Sequence, residues 1–275
     1  MTDAPKTALI TGGAGGLGRV MAQALVTDGI NTAILDIDKE AARKRAAEIN
    51  ERCGSDRVLA IAGDVSDENS CNDAVASCID HFGSIDILVN NAGIGVSALR
   101  PDAERNLPSI EEIDRVLWDR FFAVNVTGPM LMTRAATPHM RANGWGRVVN
   151  NTTSLFTMLR VLPYGASKAA LESMSAIWAK QLESTGITVN VLVPGGPTDT
   201  PFISDESGIP RDKMLKPAIM GPPIRWLASP ASDGVTGRRF VAASWDADRS
   251  DAEAAKVAGA PIGWPELAKT VVWPD

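Results

Sequence analysis

The chain has 275 residues, of which 45% are hydrophobic and 22% charged, and its formal net charge is −6. This composition is typical of a globular α/β protein, and the length allows one large domain or two small ones. The acidic balance offers no basic patch for nucleic acid, and no apolar run reaches the ~18 residues of a membrane span or resembles a secretion leader. We therefore expect no nucleic-acid partner, no membrane span and a cytoplasmic location.

Short apolar runs alternate with helical patterns along most of the chain. The runs predict strands near residues 7–11, 32–36, 57–63, 85–89, 147–151, 187–193 and 236–242. This alternation predicts an α/β fold with one doubly wound parallel sheet of about seven strands and helices on both faces. We expect a single domain over residues 1–245. The segment 246–275 contains Trp264, Trp273 and Pro274, a composition unlike a disordered tail, and should pack on the domain or on a neighbouring subunit.

A glycine-rich turn follows the first predicted strand and opens a helix. Gly13, Gly15 and Gly18 match the pattern GxGxxG, while Gly12, Gly16 and Gly18 match TGxxxGxG. Glycines allow the backbone to approach a pyrophosphate, and a helix N-terminus presents free N–H groups to it. The context strand, glycine turn, helix therefore predicts a dinucleotide site, with an ordinary turn as the alternative.

Asp36 ends the second predicted strand, 18 residues after Gly18. A carboxylate at this place can accept hydrogen bonds from the adenosine ribose hydroxyls, and it would repel a 2′-phosphate. No Arg or Lys lies between Arg19 and Lys39 to offset that repulsion. The sequence thus favours NAD(H) over NADP(H), and the structural alternative is an Asp that merely ends a strand at a turn.

The chain has one tyrosine, Tyr164, and it stands four residues before Lys168. On a helix this spacing places both side chains on the same face. A neighbouring ammonium favours the phenolate and lowers the tyrosine pKa from its ordinary value near 10. The pair is a candidate acid/base couple, although an isolated spacing of this kind more often belongs to the surface of an amphipathic helix.

Together these motifs resemble the short-chain dehydrogenase/reductase family of the single-domain type, over residues 6 to about 242. The matches are Thr11–Gly18, Asp36, Asp64-Val65, Asn90–Gly93, Asn125, Thr152–Ser154, Tyr164–Lys168 and Pro194-Gly195, in family order. Each match alone is modest, but eight in order form a specific signature. The resemblance implies a Rossmann-like fold and an NAD(H)-dependent interconversion of a secondary alcohol and a ketone.

The resemblance also implies the catalytic roles. Tyr164 would be the acid/base, and Lys168 would lower its pKa and bind the nicotinamide ribose. Asn125 would hold a water molecule that links Lys168 to solvent; its alternative is a buried Asn satisfied by backbone groups.

The substrate-orienting hydroxyl departs from the family pattern. Family members usually have Ser 13 residues before the Tyr, where this chain has Asn151. Counting positions from the preceding strand places Thr153 where the family has its serine, which slightly favours Thr153 for this role. Ser154 is the alternative, because it is the nearest serine. Either hydroxyl can donate to a carbonyl oxygen.

The resemblance further implies a set of cofactor contacts along the carboxyl ends of the strands. They are expected at Gly12, Gly15, Gly16, Leu17, Gly18, Asp36, Asp64, Val65, Asn91, Ala92, Gly93, Tyr164, Lys168, Pro194, Gly195 and Thr200. Asp64 would lie against the adenine ring. Thr200 would bind the carboxamide, although the usual spacing places Asp199 in that position.

The substrate is expected to be a small alcohol or ketone with an apolar part, because Phe156, Met158 and Phe202 lie in segments predicted to form the pocket. The segment 202–223 is rich in Pro and Gly and reads as a mobile lid. No spacing of Cys, His or carboxylates indicates a metal, and Cys53, Cys71 and Cys78 are expected to be free thiols.

Two other functions stay open. One is a non-catalytic NAD(H)-binding regulator on the same fold, against which the intact set of Tyr164, Lys168 and Asn125 argues. The other is a dehydratase or epimerase, whose relatives commonly carry a substrate domain that this length cannot hold. Surplus apolar residues on two predicted helices, Leu117–Met132 and Tyr164–Glu183, indicate an interface between subunits. We expect a homotetramer, with a dimer as the next alternative.

Overall fold

The computed structural model describes residues 4–268 and is built around one sheet of eight strands in the order β3-β2-β1-β4-β5-β6-β7-β8. The first seven strands are parallel, and β8 runs antiparallel to β7. The strands are β1 (Thr7–Thr11), β2 (Asn31–Asp36), β3 (Val58–Ala62), β4 (Ile87–Asn90), β5 (Gly146–Asn151), β6 (Ile187–Val193), β7 (Arg238–Val241) and β8 (Gly259–Pro261).

All seven predicted strands are found, each within two residues of its predicted ends. They were predictable because every residue of β1, β5 and β6 is buried, and each of these strands contains a short apolar run, as is typical of a parallel sheet covered on both faces. The eighth strand was missed. It has only three residues and includes Pro261, a residue that sheets tolerate at an edge.

Helices cover both faces of the sheet, as the doubly wound arrangement requires. They are α1 (Gly16–Thr27), α2 (Lys39–Cys53), α3 (Glu68–Phe82), α4 (Arg115–Phe122), α5 (Gly128–Ala142), α6 (Leu155–Met158), α7 (Tyr164–Gln181), α8 (Gly221–Leu227), α9 (Asp251–Ala258) and α10 (Pro265–Ala268). None of the helices within residues 4–268 is long and apolar enough to cross a bilayer.

Two hydrophobic clusters hold these layers together, because side chains alternate between the two faces of each strand. In β1, Ile10 joins the cluster beneath α1, α2, α8 and α9, while Leu9 joins the cluster beneath α3, α5 and α7. In β5, Val149 joins the same cluster as Ile10, and Val148 joins the same cluster as Leu9. The sheet is therefore buried on both faces, and the polar ends of its strands are left to form a site.

The carboxy-terminal segment packs on the same domain as far as it is described. Helix α9 buries Ala254 and Ala258 in the cluster that contains Met21 of α1. Strand β8 then pairs with β7, and Ile262 packs against Val191. Residues 246–268 thus extend the sheet instead of forming a separate unit. Trp273 and Pro274, also expected to dock, lie outside the described residues.

Candidate active site

The site lies at the carboxyl ends of the parallel strands, where β1 and β4 are neighbours and the chain leaves them in opposite directions. Such a switch point opens a crevice in a doubly wound sheet. Thr11, the last residue of β1, holds the two sides in register. Its Oγ1 accepts hydrogen bonds from the backbone N–H groups of Asn91 (3.0 Å) and Ala92 (2.9 Å). The glycine turn after β1 and the turn after β4 therefore form one rigid floor.

Three glycines of the turn, at positions 12, 16 and 18, are required by backbone conformation or by close packing. Gly12 and Gly16 have φ of +62° and +51°, in the left-handed region that disfavours side chains. A Cβ on Gly18 would lie 2.1 Å from the carbonyl oxygen of Gly12, so α1 could not approach the turn. A Cβ on Gly15 would meet nothing within 4 Å.

The open space at Gly15 lies directly at the N-terminus of α1, where no side chain caps the helix. The first N–H groups of a helix need partners, and an anion is a suitable one. The glycine cradle therefore fits the pyrophosphate of a dinucleotide. The side chain of Leu17, a residue also predicted to contact the cofactor, packs partly buried against the core.

Asp36 stands at the end of β2, beside this cradle. Its Oδ2 accepts a hydrogen bond from the N–H of Ala14 (3.1 Å), and its Oδ1 accepts one from Asp38 (3.1 Å). One cation from outside the stretch between Arg19 and Lys39 also reaches this turn. Arg45 of α2 donates from Nε to the carbonyl oxygen of Ala14 (3.0 Å). Its guanidinium is also paired with Glu48.

Two further predicted cofactor residues have structural partners. Asp64 Oδ1 accepts hydrogen bonds from both the N–H (2.8 Å) and the hydroxyl (2.7 Å) of Ser66. The Val65 side chain is buried, and a Cβ on Gly128 would lie 2.9 Å from its Cγ2. The Val65 side chain therefore packs against the first residue of α5.

The loop after β6 faces the glycine turn from the other side. Gly195 has φ of +103°, and the carbonyl oxygen of Pro194 accepts a hydrogen bond from Ala243 (3.0 Å). Thr200 lies opposite Gly16, where an added Cβ would be 3.6 Å from the Thr200 Cβ. Its neighbour Asp199 is engaged elsewhere, in ion pairs with side chains farther along the loop. Thr200, and not Asp199, is thus the loop residue that faces the cradle.

The two candidate hydroxyls differ in their surroundings. The Thr153 side chain interacts with the Tyr164 hydroxyl and acts to lower its pKa. Ser154 instead begins α6: its Oγ accepts a hydrogen bond from the N–H of Thr157 (3.1 Å) and lies 2.9 Å from the Thr157 hydroxyl. The structure therefore brings Thr153 to the tyrosine and occupies Ser154 as a helix cap.

Tyr164 and Lys168 lie on the first turns of α7, but their electrostatics differ from the sequence prediction. Burial raises the pKa of Tyr164 to about 12, and only the interaction with the Thr153 side chain acts to lower it. Burial also lowers the pKa of Lys168 to about 8. The Lys168 Nζ lies 5.9 Å from the Tyr164 ring centre and donates to the carbonyl oxygen of Asn151 (2.8 Å). The expected lowering of the tyrosine pKa by the lysine is thus wrong for this geometry, because removal from water outweighs it.

Asn125 is fully buried in a π turn, Ala123–Thr127, between α4 and α5. Its Oδ1 accepts a hydrogen bond from the N–H of Ile94 (2.9 Å), and its Nδ2 donates to the Ile94 carbonyl (3.0 Å) and to Ser167 (3.0 Å). These bonds agree with the alternative stated for Asn125, a buried side chain whose hydrogen bonds are satisfied mainly by backbone groups. The side chain still lies near the lysine: a Cβ on Gly93 would be 3.0 Å from Asn125 Oδ1 and 3.4 Å from Lys168 Nζ.

One of the three predicted pocket residues covers the tyrosine. The Phe202 ring lies 5.8 Å from the Tyr164 ring, and a Cβ on Gly95 would be 2.6 Å from two Phe202 ring carbons. Met158 is buried within the domain, and Phe156 is 67% exposed. The segment after β4 and the segment after β6 therefore meet above Tyr164 through Phe202.

Sequence reasoning missed a buried ion pair behind the site, between Glu172 of α7 and Arg239 of β7. The available signal was the spacing of Glu172, four residues after Lys168 and on the same helix face. Nothing in the sequence connected it to an arginine 67 residues away. Within the described part of the chain, no group of three or more His, Cys, Asp or Glu side chains is placed to hold a metal ion.

A sequence model of the family described as short chain dehydrogenase matches residues 6–207. The chain therefore belongs to the short-chain dehydrogenase family, as its motifs predicted, and its relatives support an oxidoreductase. The family assignment agrees with the fold, the glycine cradle and the Tyr–Lys pair described above.

Several characterised proteins are similar to this chain. It is 42% identical to a sorbitol dehydrogenase of Cereibacter sphaeroides, covering 69% of this chain and 70% of the relative. It is 33% identical to a 2,5-dichloro-2,5-cyclohexadiene-1,4-diol dehydrogenase of Sphingobium indicum, covering 85% and 93%. Among solved structures, a 3-ketoacyl-(acyl-carrier-protein) reductase of Brucella melitensis complexed with NADH has a TM-score of 0.73 at 33% identity, covering 85% and 94%.

Proposed function

We propose that this chain is a cytoplasmic, NAD(H)-dependent oxidoreductase that interconverts a secondary alcohol and a ketone. The observation that carries the proposal is the grouping of Tyr164, the Thr153 side chain that interacts with it and the buried Lys168, in the same crevice as the glycine cradle. A bound nicotinamide would supply or accept the hydride. The protein must then move one proton to or from the substrate oxygen and hold that oxygen in place.

Tyr164 is the group proposed to move the proton. With a pKa raised to about 12, its hydroxyl is protonated at neutral pH and can donate to the oxygen of a ketone as it is reduced. In the opposite direction the phenolate must accept the alcohol proton, so alcohol oxidation should accelerate as pH rises. The Thr153 hydroxyl would donate to the same substrate oxygen and orient it.

Lys168 is proposed to support the phenolate. Its pKa of about 8 keeps it mostly protonated at neutral pH, although its ammonium lies among buried groups. In the proposed reaction its positive charge would stabilise the phenolate that forms during ketone reduction, although in this structure it does not offset the rise in the Tyr164 pKa that burial causes. Binding of the nicotinamide ribose by Lys168, and a water relay through Asn125, remain proposals that the family resemblance supports.

The preference for NAD(H) is proposed from Asp36. Its carboxylate lies beside the cradle, bonded to the Ala14 N–H, where it would repel a 2′-phosphate. The nearby Arg45 is partnered by Glu48 and leaves no surplus positive charge to attract that phosphate.

The substrate is proposed to carry an apolar group, which would contact Phe202 above the tyrosine. Two of the similar proteins are named as dehydrogenases of compounds with more than one hydroxyl group. A suitable panel therefore contains simple secondary alcohols, open-chain polyols and cyclic diols, together with the matching ketones. The rival functions are a non-catalytic NAD(H)-binding regulator and a dehydratase or epimerase.

The first prediction concerns the acid/base. Tyr164→Phe keeps the ring and removes the hydroxyl, so turnover on the best substrate of the panel should fall by roughly 10²–10⁴-fold while NADH binding persists. Turnover is followed at the nicotinamide absorbance band and binding by fluorescence titration. A variant that keeps half of the wild-type rate would contradict the assignment. A wild-type protein that binds NADH and turns over no compound would favour the regulator.

The second prediction separates the two hydroxyls. Thr153→Val removes one donor at similar volume and should lower kcat/KM by roughly 10²–10³-fold. The lost interaction also raises the pKa of Tyr164, so the pH profile of alcohol oxidation should move to higher pH. Ser154→Ala, the matched control, should cost about 1 kcal/mol of stability through its lost cap and leave the pH profile in place. Equal, small kinetic effects of both changes would show that neither hydroxyl orients the substrate.

The third prediction concerns cofactor choice. Wild type should use NADH well and NADPH poorly, and Asp36→Ala should weaken NADH binding and narrow the difference, because both the ribose partner and the repulsive charge are lost. Steady-state kinetics with both cofactors measure this. If wild type uses the two cofactors equally well, the role given to Asp36 is wrong.

The fourth prediction is assembly as a homotetramer, with a dimer as the next alternative. Val116 of α4 is 78% exposed and Ile177 of α7 is 51% exposed, so both helices offer apolar surface. Trp178 packs partly buried against the cluster beneath α7 and leaves that surface uncovered. Size-exclusion chromatography with light scattering should give a multiple of the 29.1 kDa chain mass at micromolar concentration. A monomer mass would refute the expected assembly.

A further inference from the structure

A buried ion pair lies directly behind the candidate active site. Glu172 is fully buried, and its Oε1 accepts a hydrogen bond from Arg239 Nε at 2.9 Å. The other carboxylate oxygen, Oε2, accepts one from the hydroxyl of Thr152 at 2.8 Å. Glu172 thus connects α7, two turns after Tyr164, to β7 and to the segment that follows β5.

Arg239 reaches the same segment with its other donors. Its Nη2 donates to the carbonyl oxygen of Thr153 at 2.8 Å. The guanidinium therefore spans the Glu172 carboxylate and the backbone of the residue whose hydroxyl contacts Tyr164. A planar guanidinium with donors in a fixed fork is suited to set such a distance, which a lysine would not do.

The residues so held have no other regular support. Strand β5 ends at Asn151 and α6 begins at Leu155, so residues 152–154 belong to no helix or strand. Their position depends on individual hydrogen bonds. One bond fixes the side chain of Thr152 and another fixes the carbonyl of Thr153, and together they limit how the Thr153 side chain can turn.

We propose that Arg239 and Glu172 are positioning residues, which hold Thr153 so that its hydroxyl stays bonded to Tyr164. The inference rests on the proposed function, in which Thr153 and Tyr164 act together on the substrate oxygen. Arg239 and Glu172 touch neither substrate nor cofactor and act only through Thr153.

Energetic considerations favour this role over simple stabilisation. Removing two charges from water is costly, and well-packed hydrophobic residues commonly serve stability at least as well. The pair is placed where a loop between strand and helix must be oriented. It also involves the carboxy-terminal segment: Gly263 donates its N–H to Glu172 Oε1 at 3.3 Å, and Arg239 pairs with Ala260 of β8. The extension beyond β7 thus helps to hold the active-site loop.

The single tyrosine of the chain makes a direct test possible. Protein labelled with ¹³C at the tyrosine Cζ gives one NMR resonance, whose position reports the hydrogen bond and charge at the Tyr164 hydroxyl. The samples are wild type, Thr153→Val, Arg239→Gln, and the pair Arg239→Met with Glu172→Leu, which leaves no unpaired buried charge. Arg147→Gln is the matched control, because Arg147 is also a buried arginine in an ion pair, with Asp233, and has no contact with Thr153.

We expect Arg239→Gln and the double change to move the tyrosine resonance in the same direction as Thr153→Val, while Arg147→Gln leaves it at the wild-type position. With the best alcohol substrate, kcat should fall about tenfold to a hundredfold, KM for NAD+ should stay constant, and the pH profile should move to higher pH. In a Thr153→Val background, Arg239→Gln should lower kcat by less than about twofold further, since the residue through which it acts is already lost.

A folded double variant with the wild-type resonance would overturn the inference. So would a full, additive loss of kcat in the Thr153→Val background. The proposed function fails separately: if wild type oxidises no alcohol of the panel, the NMR comparison still decides whether Arg239 and Glu172 position Thr153. If Arg239→Gln does not fold, the double variant, free of an uncompensated charge, supplies the same comparison.

Discussion

The geometry of this site depends on one threonine hydroxyl. Thr11 closes β1 and accepts the N–H groups of two successive residues after β4, and this contact keeps the ends of the two central strands together. The glycine cradle lies on one side of it and Gly93, beside Asn125 and Lys168, on the other. A change at this point would alter the distance between the dinucleotide cradle and the Tyr–Lys pair, since both are built on the same floor.

Burial is the second governing constraint, and it acts on the two titratable groups in opposite ways. It raises the pKa of Tyr164 and lowers that of Lys168, so each group is driven toward its neutral form. The values, about 12 and about 8, lie farther apart than those of the free side chains, 10.0 and 10.5, and their order is reversed. The Thr153 side chain supplies the interaction that favours the phenolate, which gives its hydroxyl an electrostatic task as well as a geometric one.

Much of this could be read from the sequence because the signals were local. Continuous apolar runs predict strands buried on both faces, and the spacing of glycines at a strand–helix junction predicts the cradle. The choice between Thr153 and Ser154 depended on which residue begins α6, a boundary that residue types alone leave open. The direction of the Tyr164 pKa depended on burial, which spacing does not reveal. The Glu172–Arg239 pair joins positions 67 residues apart, and no pattern in the sequence around Arg239 indicated that it would pair with Glu172.

The short strand β8 also determines how far the sheet can grow. Without it, β7 would present a row of unpaired N–H and C=O groups, which can recruit a strand from another molecule. β8 occupies that row, and its own length of three residues, with Pro261 lacking an N–H, offers almost nothing to a further strand. Within the described residues the sheet therefore ends at β8 on this side, and this edge leaves little backbone for a strand of another molecule to join.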